Sequence, residues 1–245
     1  MEAHLYEAHE RLEDTHWWFE GRRRLIDRVM SANLRPREAR RILDVGCGTG
    51  GMFPLLQRFG SVDGAEYSAD ARERAARRFP SANIGPCALP NELPAGTWDV
   101  VTAFDVIEHV DDPEGSLATM RARLVADGQV VVTVPAFQFL WSRHDEVNQH
   151  KRRYTRHLLE GQLVRAGFRV QFCSYFNSIL FPAVAGVRAA QRLVKALDRG
   201  AGSDLDELNP VLNAALTTLF SLESKVVPNR PLPFGVSLIA VAERA

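Results

Sequence analysis

The sequence predicts an α/β fold with a doubly wound sheet, because buried strands and amphipathic helices alternate along most of the chain. The clearest segment is RILDVGCGTGG at 41–51, where an apolar strand ends in an acid and a glycine-rich turn follows. A helix is predicted to begin at Phe53, directly after this turn. In α/β proteins, a strand, a glycine turn and a helix N-terminus in this order form a ligand pocket at the carboxyl end of the sheet.

The length and composition are those of one ordinary domain. Lys plus Arg and Asp plus Glu both number 30, so no overall charge favours nucleic acid or an anionic membrane. The three scattered cysteines, Cys47, Cys87 and Cys173, favour a reduced, cytoplasmic protein over a disulfide framework. The polar start at 1–4 indicates no signal peptide, and the longest apolar stretch, 179–187, is too short to span a bilayer.

The predicted strands are short runs of apolar residues bounded by turn residues. They lie at 42–45, 61–66, 82–87, 98–104, 129–135, 168–174 and 234–242. The run at 98–104 is the clearest central strand and the run at 82–87 is the weakest. Glu66 ends the second strand, which is where a doubly wound fold places an acid that accepts the hydrogens of two ribose hydroxyls.

The predicted helices are recognised by apolar spacing and by capping residues at their starts. The first lies within 4–33 and the second begins at Phe53. The other five are predicted at 68–78, 112–128, 155–167, 180–197 and 209–226. In the fourth, Leu117, Met120 and Leu124 form the buried stripe and Gly128 is expected to stop the helix. In the last, Asn209 is the cap, Pro210 takes the first position, and an apolar face runs from Leu212 to Val226.

Two segments extend this alternating pattern. Residues 137–154 form an irregular insertion rich in aromatics, histidines and charges. The last two helices, joined by a Gly/Asp-rich loop at 198–207, are expected to form a helical hairpin over the sheet. The predicted organisation is a single domain with an N-terminal helical lid at 1–36, a core at 37–175, the hairpin at 176–228 and the last strand at 229–245.

Three motifs together resemble the class I S-adenosylmethionine (SAM) dependent methyltransferases: DVGCGTG at 44–50, FDVIEHV at 104–110 and DGQVVVTVP at 127–135. The discriminating residue is Asp44, which would repel a pyrophosphate but suits a ligand that carries an ammonium and a sulfonium. The resemblance implies a Rossmann-like, seven-stranded sheet with an antiparallel last strand. It also implies SAM as the cofactor, S-adenosylhomocysteine as the product, and an N-terminal helix that closes over both ligands.

The implied reaction is methyl transfer to an O, N or C nucleophile of a small molecule, in the biosynthesis of a secondary metabolite or of a modified glycan or lipid. Two alternatives stay open. Gly46, Gly48 and Gly51 also fit the pattern G-x-G-x-x-G of an NAD(P)-dependent oxidoreductase, although that pattern by itself is weak. A non-catalytic, SAM-binding scaffold would carry the same turn.

The cofactor-binding residues that the resemblance implies follow the ends of the first four strands. They are Asp44, Gly46, Cys47, Gly48, Gly50, Glu66, Tyr67, Cys87, Ala88, Leu89, Phe104 and Asp105. Tyr67 is expected to lie against the adenine. Many relatives carry an acid after the third strand for the adenine amino group, but GPCA stands at 85–88 here, so adenine recognition is assigned to backbone groups near Cys87 and Ala88.

The acceptor is expected at the insertion 137–154, because long connections in compact domains are often functional. The candidate catalytic residues are His109, His144 and His150, and those expected to bind the substrate are Trp17, Trp18, Arg153 and Tyr154. The competing interpretation is a solvated loop whose arginines pair with Asp145 and Glu146.

This lining favours a small molecule with an apolar body and a polar or anionic handle, not a nucleic acid. A lipid-linked acceptor and peripheral membrane contact by the hairpin stay open, and the sequence leaves the oligomeric state open. Asp105, Glu108 and His109 have the spacing with which some relatives, among them quinone-biosynthesis methyltransferases, hold a divalent metal. Metal-free relatives carry the same motif, so no metal is expected.

Overall fold

The computed structural model describes residues 15–193 and 209–245 and contains a seven-stranded mixed sheet. The strands are β1 (Arg41–Val45), β2 (Ser61–Glu66), β3 (Ile84–Pro86), β4 (Trp98–Phe104), β5 (Leu124–Pro135), β6 (Phe168–Phe176) and β7 (Ser237–Arg244). Their order is β3-β2-β1-β4-β5-β7-β6. Neighbours from β3 through β5 are parallel, whereas β7 runs antiparallel to β5 and β6. The predicted sheet with an antiparallel last strand is confirmed.

Four of the helices in the described ranges begin at a capping residue where the sequence predicts a helix start. The described helices are α1 (Trp17–Asn33), α2 (Phe53–Leu56), α3 (Ala69–Arg78), α4 (Pro113–Ala122), α5 (Arg143–Val147), α6 (Arg156–Arg165), α7 (Phe181–Leu193) and α8 (Pro210–Glu223), and a 3-10 turn spans Gln138–Leu140. The side chains of Ser68, Asp112, Thr155 and Asn209 each accept a hydrogen bond from a backbone N–H in the first turn of their helix.

The prediction that Gly128 stops the fourth helix is wrong. Helix α4 ends at Ala122, and Leu124 already pairs with Trp98 as the first residue of β5. The pairing register of β4 and β5 is interrupted just after this pair, and Gly128 lies in the irregular part. A Cβ at Gly128 would come within 3.2 Å of the Asp99 carbonyl oxygen, so this glycine serves close strand approach and not helix termination.

The sheet is buried on both faces. On one face α4 and α6 contribute Leu117 and Leu159 to a core shared with β4, β5 and β7. On the other face α1 contributes Leu25 and Ile26, which cluster with Phe220 of α8 and Ile239 of β7. Three layers result, and the loops at the carboxyl ends of the parallel strands stay open to ligands.

Helix α8 packs along α1. The backbone N–H of Trp17 donates to the Asn213 side chain at 2.8 Å, and Thr217, Phe220 and Glu223 are buried. Of the predicted apolar face of this helix, Leu212, Leu219 and Val226 are exposed. The connection predicted at 198–207 and the N-terminal residues 1–14 lie outside the described residues. Within the described ranges, none of the helices has the length and apolar character needed to cross a bilayer.

Candidate functional site

A cavity of about 620 Å³ lies at the carboxyl ends of the parallel strands, beneath α1 and beside α7 and α8. We call its three parts the glycine end, the histidine end and the apolar wall. The glycine end is the turn at 46–52 together with Asp44. The histidine end contains Glu108, His109, His144, His150 and Arg153. The apolar wall consists of Trp17, Trp18, Leu180, Val184, Val187 and Leu216.

The backbone of the glycine end is set by left-handed conformations and by one shared acceptor. Gly46 has φ +70° and Gly48 has φ +54°, values that side-chain-bearing residues rarely adopt. The N–H groups of Gly46 and Cys47 both donate to the Ala65 carbonyl on β2, at 2.7 and 3.2 Å. A Cβ at Gly48 would meet nothing within 4 Å, so the open space above this residue belongs to the cavity.

Asp44 places a nearly buried carboxylate at the glycine end. It accepts a 2.6 Å hydrogen bond from the Thr102 hydroxyl on the neighbouring strand. Burial raises the pKa of Asp44 to about 7, although the Thr102 hydrogen bond and the charge of Arg22 oppose this rise. A carboxylate with so little neutralising charge is stabilised by a cationic ligand group, such as the ammonium of an amino acid.

Glu66 lies directly behind the turn. Its two carboxylate oxygens accept the N–H groups of Gly48 at 3.0 Å and Ser68 at 2.9 Å. A carboxylate offers about four acceptor sites, so these bonds do not preclude hydrogen bonds to two ribose hydroxyls. The position suits the predicted ribose contact, although Glu66 itself does not line the cavity.

The predicted cofactor residues divide into two groups. Those that line the cavity are Asp44, Gly46, Cys47, Gly48, Phe104 and Asp105, and those that do not are Gly50, Glu66, Tyr67, Cys87, Ala88 and Leu89. Gly50 has a structural role, because a Cβ there would come within 2.6 Å of the Phe79 ring. Tyr67 is 80% exposed at the protein surface, so its contact with adenine stays a prediction.

The backbone N–H groups of Cys87 and Ala88 are used within the protein. Cys87 donates to the Glu66 carbonyl and Ala88 donates to the Glu92 carbonyl. The Ala88 carbonyl in turn accepts from the N–H groups of Asn91 and Glu92. Adenine recognition by backbone groups near Cys87 and Ala88 stays a prediction.

Helix α1 is tied across the cavity by Arg22. Its guanidinium forms a 2.7 Å ion pair with Asp105 and donates to the Thr133 hydroxyl at 3.0 Å. The Thr133 hydroxyl in turn donates to Asp105 at 3.1 Å. Asp105 has φ +56°, and these bonds hold it in that strained conformation. The sequence showed Arg22 only as one of three arginines beside aromatics and did not mark it as a site residue.

The apolar wall includes both predicted tryptophans. The Trp18 ring stacks on Phe176 with ring centroids 6.4 Å apart and packs on Phe220 at 5.5 Å. Trp17 packs edge-on against Trp18 and Phe220. The two rings are thus anchored by α8 and by the end of β6 while they line the cavity.

The histidine end unites loops that follow β4 and β5. The rings of His109 and His150 meet edge to face with centroids 4.7 Å apart, and His144 lies 6.1 Å from His150. Burial and the neighbouring His150 lower the pKa of His109 to about 4, so this ring is neutral at neutral pH. Nδ1 of His150 lies 2.9 Å from Asp145, while the Asn148 amide lies 3.2 Å from Nε2 of His144.

One prediction for this end needs correction, and another stays a prediction. Arg153 lines the cavity, so a contact with the acceptor stays a prediction, while its guanidinium donates to both oxygens of Asp145 at 2.8 and 2.9 Å. The competing interpretation expected such a pair in a solvated loop, but Asp145 is buried. Tyr154 does not face the acceptor. Its ring is fully buried and its hydroxyl donates to the Ile107 carbonyl at 3.2 Å, because Tyr154 N–H pairs with the Pro135 carbonyl and draws the side chain into the core.

Two cavity residues outside the predicted site residues have unused acceptor atoms. Glu108 is fully buried, and neither of its carboxylate oxygens has a hydrogen-bond partner. Burial and the nearby Asp105 raise the pKa of Glu108 well above its ordinary value. Asn177 at the end of β6 is 1% exposed and its side-chain oxygen has no partner either. The sequence marked Glu108 only through its spacing from Asp105 and His109, and it gave no signal for Asn177.

This fold, with a glycine turn and acids at the ends of β1 and β2, defines a class I SAM-dependent methyltransferase. The family model described as "methyltransferase domain" matches residues 17–171, and the chain belongs to that family.

Relatives of known name match part of the chain. A mitochondrial ubiquinone biosynthesis O-methyltransferase of Schizosaccharomyces pombe is 28% identical over 48% of this chain and 50% of its own length. A trans-aconitate 2-methyltransferase of Agrobacterium fabrum is 33% identical over 38% of this chain and 37% of its own. The matched region thus spans about half or less of these relatives.

Among solved structures, a methyltransferase of Haloferax volcanii in complex with the Trm112 activator has a TM-score of 0.61 at 15% identity. That match covers 98% of this chain and 94% of the other. At this identity the likeness supports the fold only.

Proposed function

We propose that this chain transfers the methyl group of SAM to a hydroxyl of an amphipathic small molecule. The observation that carries the proposal is the single cavity that joins the acidic glycine end to the histidine end. The charge of Asp44 suits the ammonium of SAM, and the carboxylate of Glu66, directly behind the glycine turn, suits the ribose hydroxyls. Tyr67 and the segment 87–89 are assigned to the adenine by the family resemblance.

In the proposed reaction, the acceptor oxygen attacks the methyl carbon of SAM. The carbon–sulfur bond breaks, its electron pair stays on sulfur, and S-adenosylhomocysteine results. The hydroxyl proton passes to a neutral histidine of the histidine end and then to solvent. Holding the two reactants in line can supply on the order of 7–11 kcal/mol of the barrier reduction, so no covalent intermediate is needed.

The cavity describes the acceptor. Its apolar wall suits a sizeable apolar body, and the side-chain oxygen of Asn177, buried without a partner, suits a hydrogen-bond donor on the acceptor. The relatives named for ubiquinone biosynthesis are O-methyltransferases, which supports oxygen as the nucleophile. The family's N and C nucleophiles are the alternative outcomes.

The test measures transfer from tritium-labelled SAM to phenols and alcohols that carry apolar chains of increasing length. Transfer of any label excludes the non-catalytic scaffold. A thermal shift with NAD(H) but none with SAM would favour the oxidoreductase. Val184→Phe should raise the acceptor KM at least tenfold and leave SAM affinity unchanged, because Val184 lies in the apolar wall. The matched control is Val164→Phe on α6, which is exposed outside the cavity.

A lipid-linked acceptor and peripheral membrane contact form a more specific version of this proposal. Large apolar residues on and beside α7 and α8 are exposed, among them Ile179, Val187, Val211, Leu212 and Leu222, and Val187 also lines the cavity. Co-sedimentation with lipid vesicles tests this version, and a protein that stays in the supernatant contradicts it.

The proposal also includes a cytoplasmic location and no nucleic-acid partner. The balanced charge of the chain and its three cysteines outside disulfides support these two points.

A further inference from the structure

Three side chains that ligate metals converge at the histidine end. The ligand atoms of Glu108, His109 and His150 all lie within 4.8 Å of one another, and all three residues line the cavity. Asp105, the first residue of the acid-x-x-Glu-His spacing, is not a member of this group, because it is bound to Arg22 and Thr133. The geometry therefore differs from the sequence motif: His150, from a separate loop, takes the place of Asp105.

Glu108 needs a partner that the described residues do not provide. Its side chain is fully buried, and neither carboxylate oxygen forms a hydrogen bond. An isolated carboxylate in such a place costs several kcal/mol, so buried carboxylates are normally paired or bound to a metal. Since the side chain lines the cavity, a small cation can reach it without a change in the fold.

His150 is oriented as metal-binding histidines usually are. Its Nδ1 lies 2.9 Å from Asp145, which leaves Nε2 for a ligand. The His109 ring packs edge to face against the His150 ring. A carbonyl or carboxylate on the outer nitrogen fixes the tautomer and the ring orientation of metal-binding histidines. Asp145 is itself held by Arg153 through two hydrogen bonds, so His150 has a rigid support.

We propose that Glu108, His109 and His150 bind one divalent cation, and that Asp145 positions His150 for it. Two imidazoles and a carboxylate suit Mn²⁺, Fe²⁺ or Zn²⁺ better than Mg²⁺ or Ca²⁺, which prefer oxygen ligands. Three protein ligands leave positions open for an acceptor oxygen. On the proposed function, a hydroxyl bound there would lose its proton more readily, and His144 would be the histidine left to accept that proton.

The test is a titration of the full chain, without a tag and stripped of metal, with Mn²⁺. Electron paramagnetic resonance measures the free Mn²⁺ at each step. The wild type should bind one equivalent. Glu108→Gln, His109→Ala and His150→Ala should each bind at least tenfold more weakly, and Asp145→Asn about 10–100-fold more weakly. The matched control is His157→Ala on α6, an exposed histidine outside the cavity, which should bind as the wild type does.

Folding and function are measured separately. Without metal, Glu108→Gln should melt no lower than the wild type, because a buried carboxylate without a hydrogen-bond partner has been removed. Mn²⁺ should raise the melting temperature of the wild type but not that of Glu108→Gln. The proposal is overturned if the wild type binds neither Mn²⁺ nor Zn²⁺ saturably, or if Glu108→Gln and His150→Ala bind as the wild type does. Calorimetric titration with SAM in the presence of EDTA separates the two proposals. If the protein binds SAM but no metal, only the metal site is refuted and the proposed function stands. If the protein does not bind SAM, the proposed function is refuted.

Discussion

The two polar ends of the cavity are built in different ways. The glycine end comes from one continuous stretch, 44–52, backed by Glu66 at the end of the adjacent strand, and its functional groups are largely backbone conformations. The histidine end gathers side chains from loops after two strands, and most of them are fixed by other side chains. Substitutions at the glycine end should therefore affect mainly ligand binding, whereas substitutions at the histidine end should also lower the free energy of unfolding.

The largest effect should come from Arg153→Met at the histidine end. This change leaves the buried carboxylate of Asp145 without its bidentate partner, and breaking a buried ion pair costs about 3–5 kcal/mol. Urea unfolding should show that loss, and the double variant Asp145→Asn/Arg153→Met should recover much of it. Unchanged stability with a raised acceptor KM would instead mean that Arg153 binds the acceptor, as the sequence predicts.

At the glycine end, Gly48→Val should abolish SAM binding. The residue has φ +54°, and the added side chain would enter the open space of the cavity. We expect at least about 100-fold weaker binding in calorimetry, equivalent to about 2.7 kcal/mol. Gly186→Val on α7 is the matched control, because its Cβ would also meet nothing within 4 Å but its φ is not positive. Wild-type affinity in Gly48→Val would place SAM elsewhere.

A smaller effect at the same end is a pH dependence through Asp44. Its pKa is raised to about 7 in the folded protein, so the carboxyl group is increasingly protonated below pH 7 and attracts the SAM ammonium less. SAM affinity should fall by up to about tenfold per pH unit from pH 7 to pH 6.

The same shift affects stability with the opposite sign. Between pH 3.8 and about 7 the folded state binds a proton that the unfolded chain has lost, so the contribution of Asp44 to stability falls as pH rises through this window. Asp44→Asn should remove both dependences. A variant whose SAM affinity keeps the wild-type pH profile would assign the titration to another group.

The smallest effect should come from Tyr154→Phe. The variant loses one buried hydrogen bond to the Ile107 carbonyl, worth about 1 kcal/mol, and the melting temperature should fall by about 2–4 °C. Acceptor kinetics should stay at the wild-type level, since the ring lies outside the cavity. An altered acceptor KM without a change in melting temperature would contradict the buried position.

Local pattern was sufficient for the sheet and for the glycine end. The alternation of strands and helices predicted every strand, and the spacing of Asp44, Gly46 and Gly48 predicted the turn. These features depend on the backbone conformation of residues close together in the chain. Glycines there take conformations that other residues avoid, and capping side chains bond within their own first turn, so a short window of sequence contains the cause.

Only the tertiary structure decided the composition of the histidine end. Glu108 and His109 follow β4 whereas His150 comes some forty residues later, and their meeting depends on β4 and β5 being neighbours in the sheet. Likewise, the same loop turns Arg153 toward Asp145 and Tyr154 into the core, although both looked equally available in the sequence. Residue type indicates which chemistry a side chain can perform, but burial and the choice of partner follow from packing between distant segments.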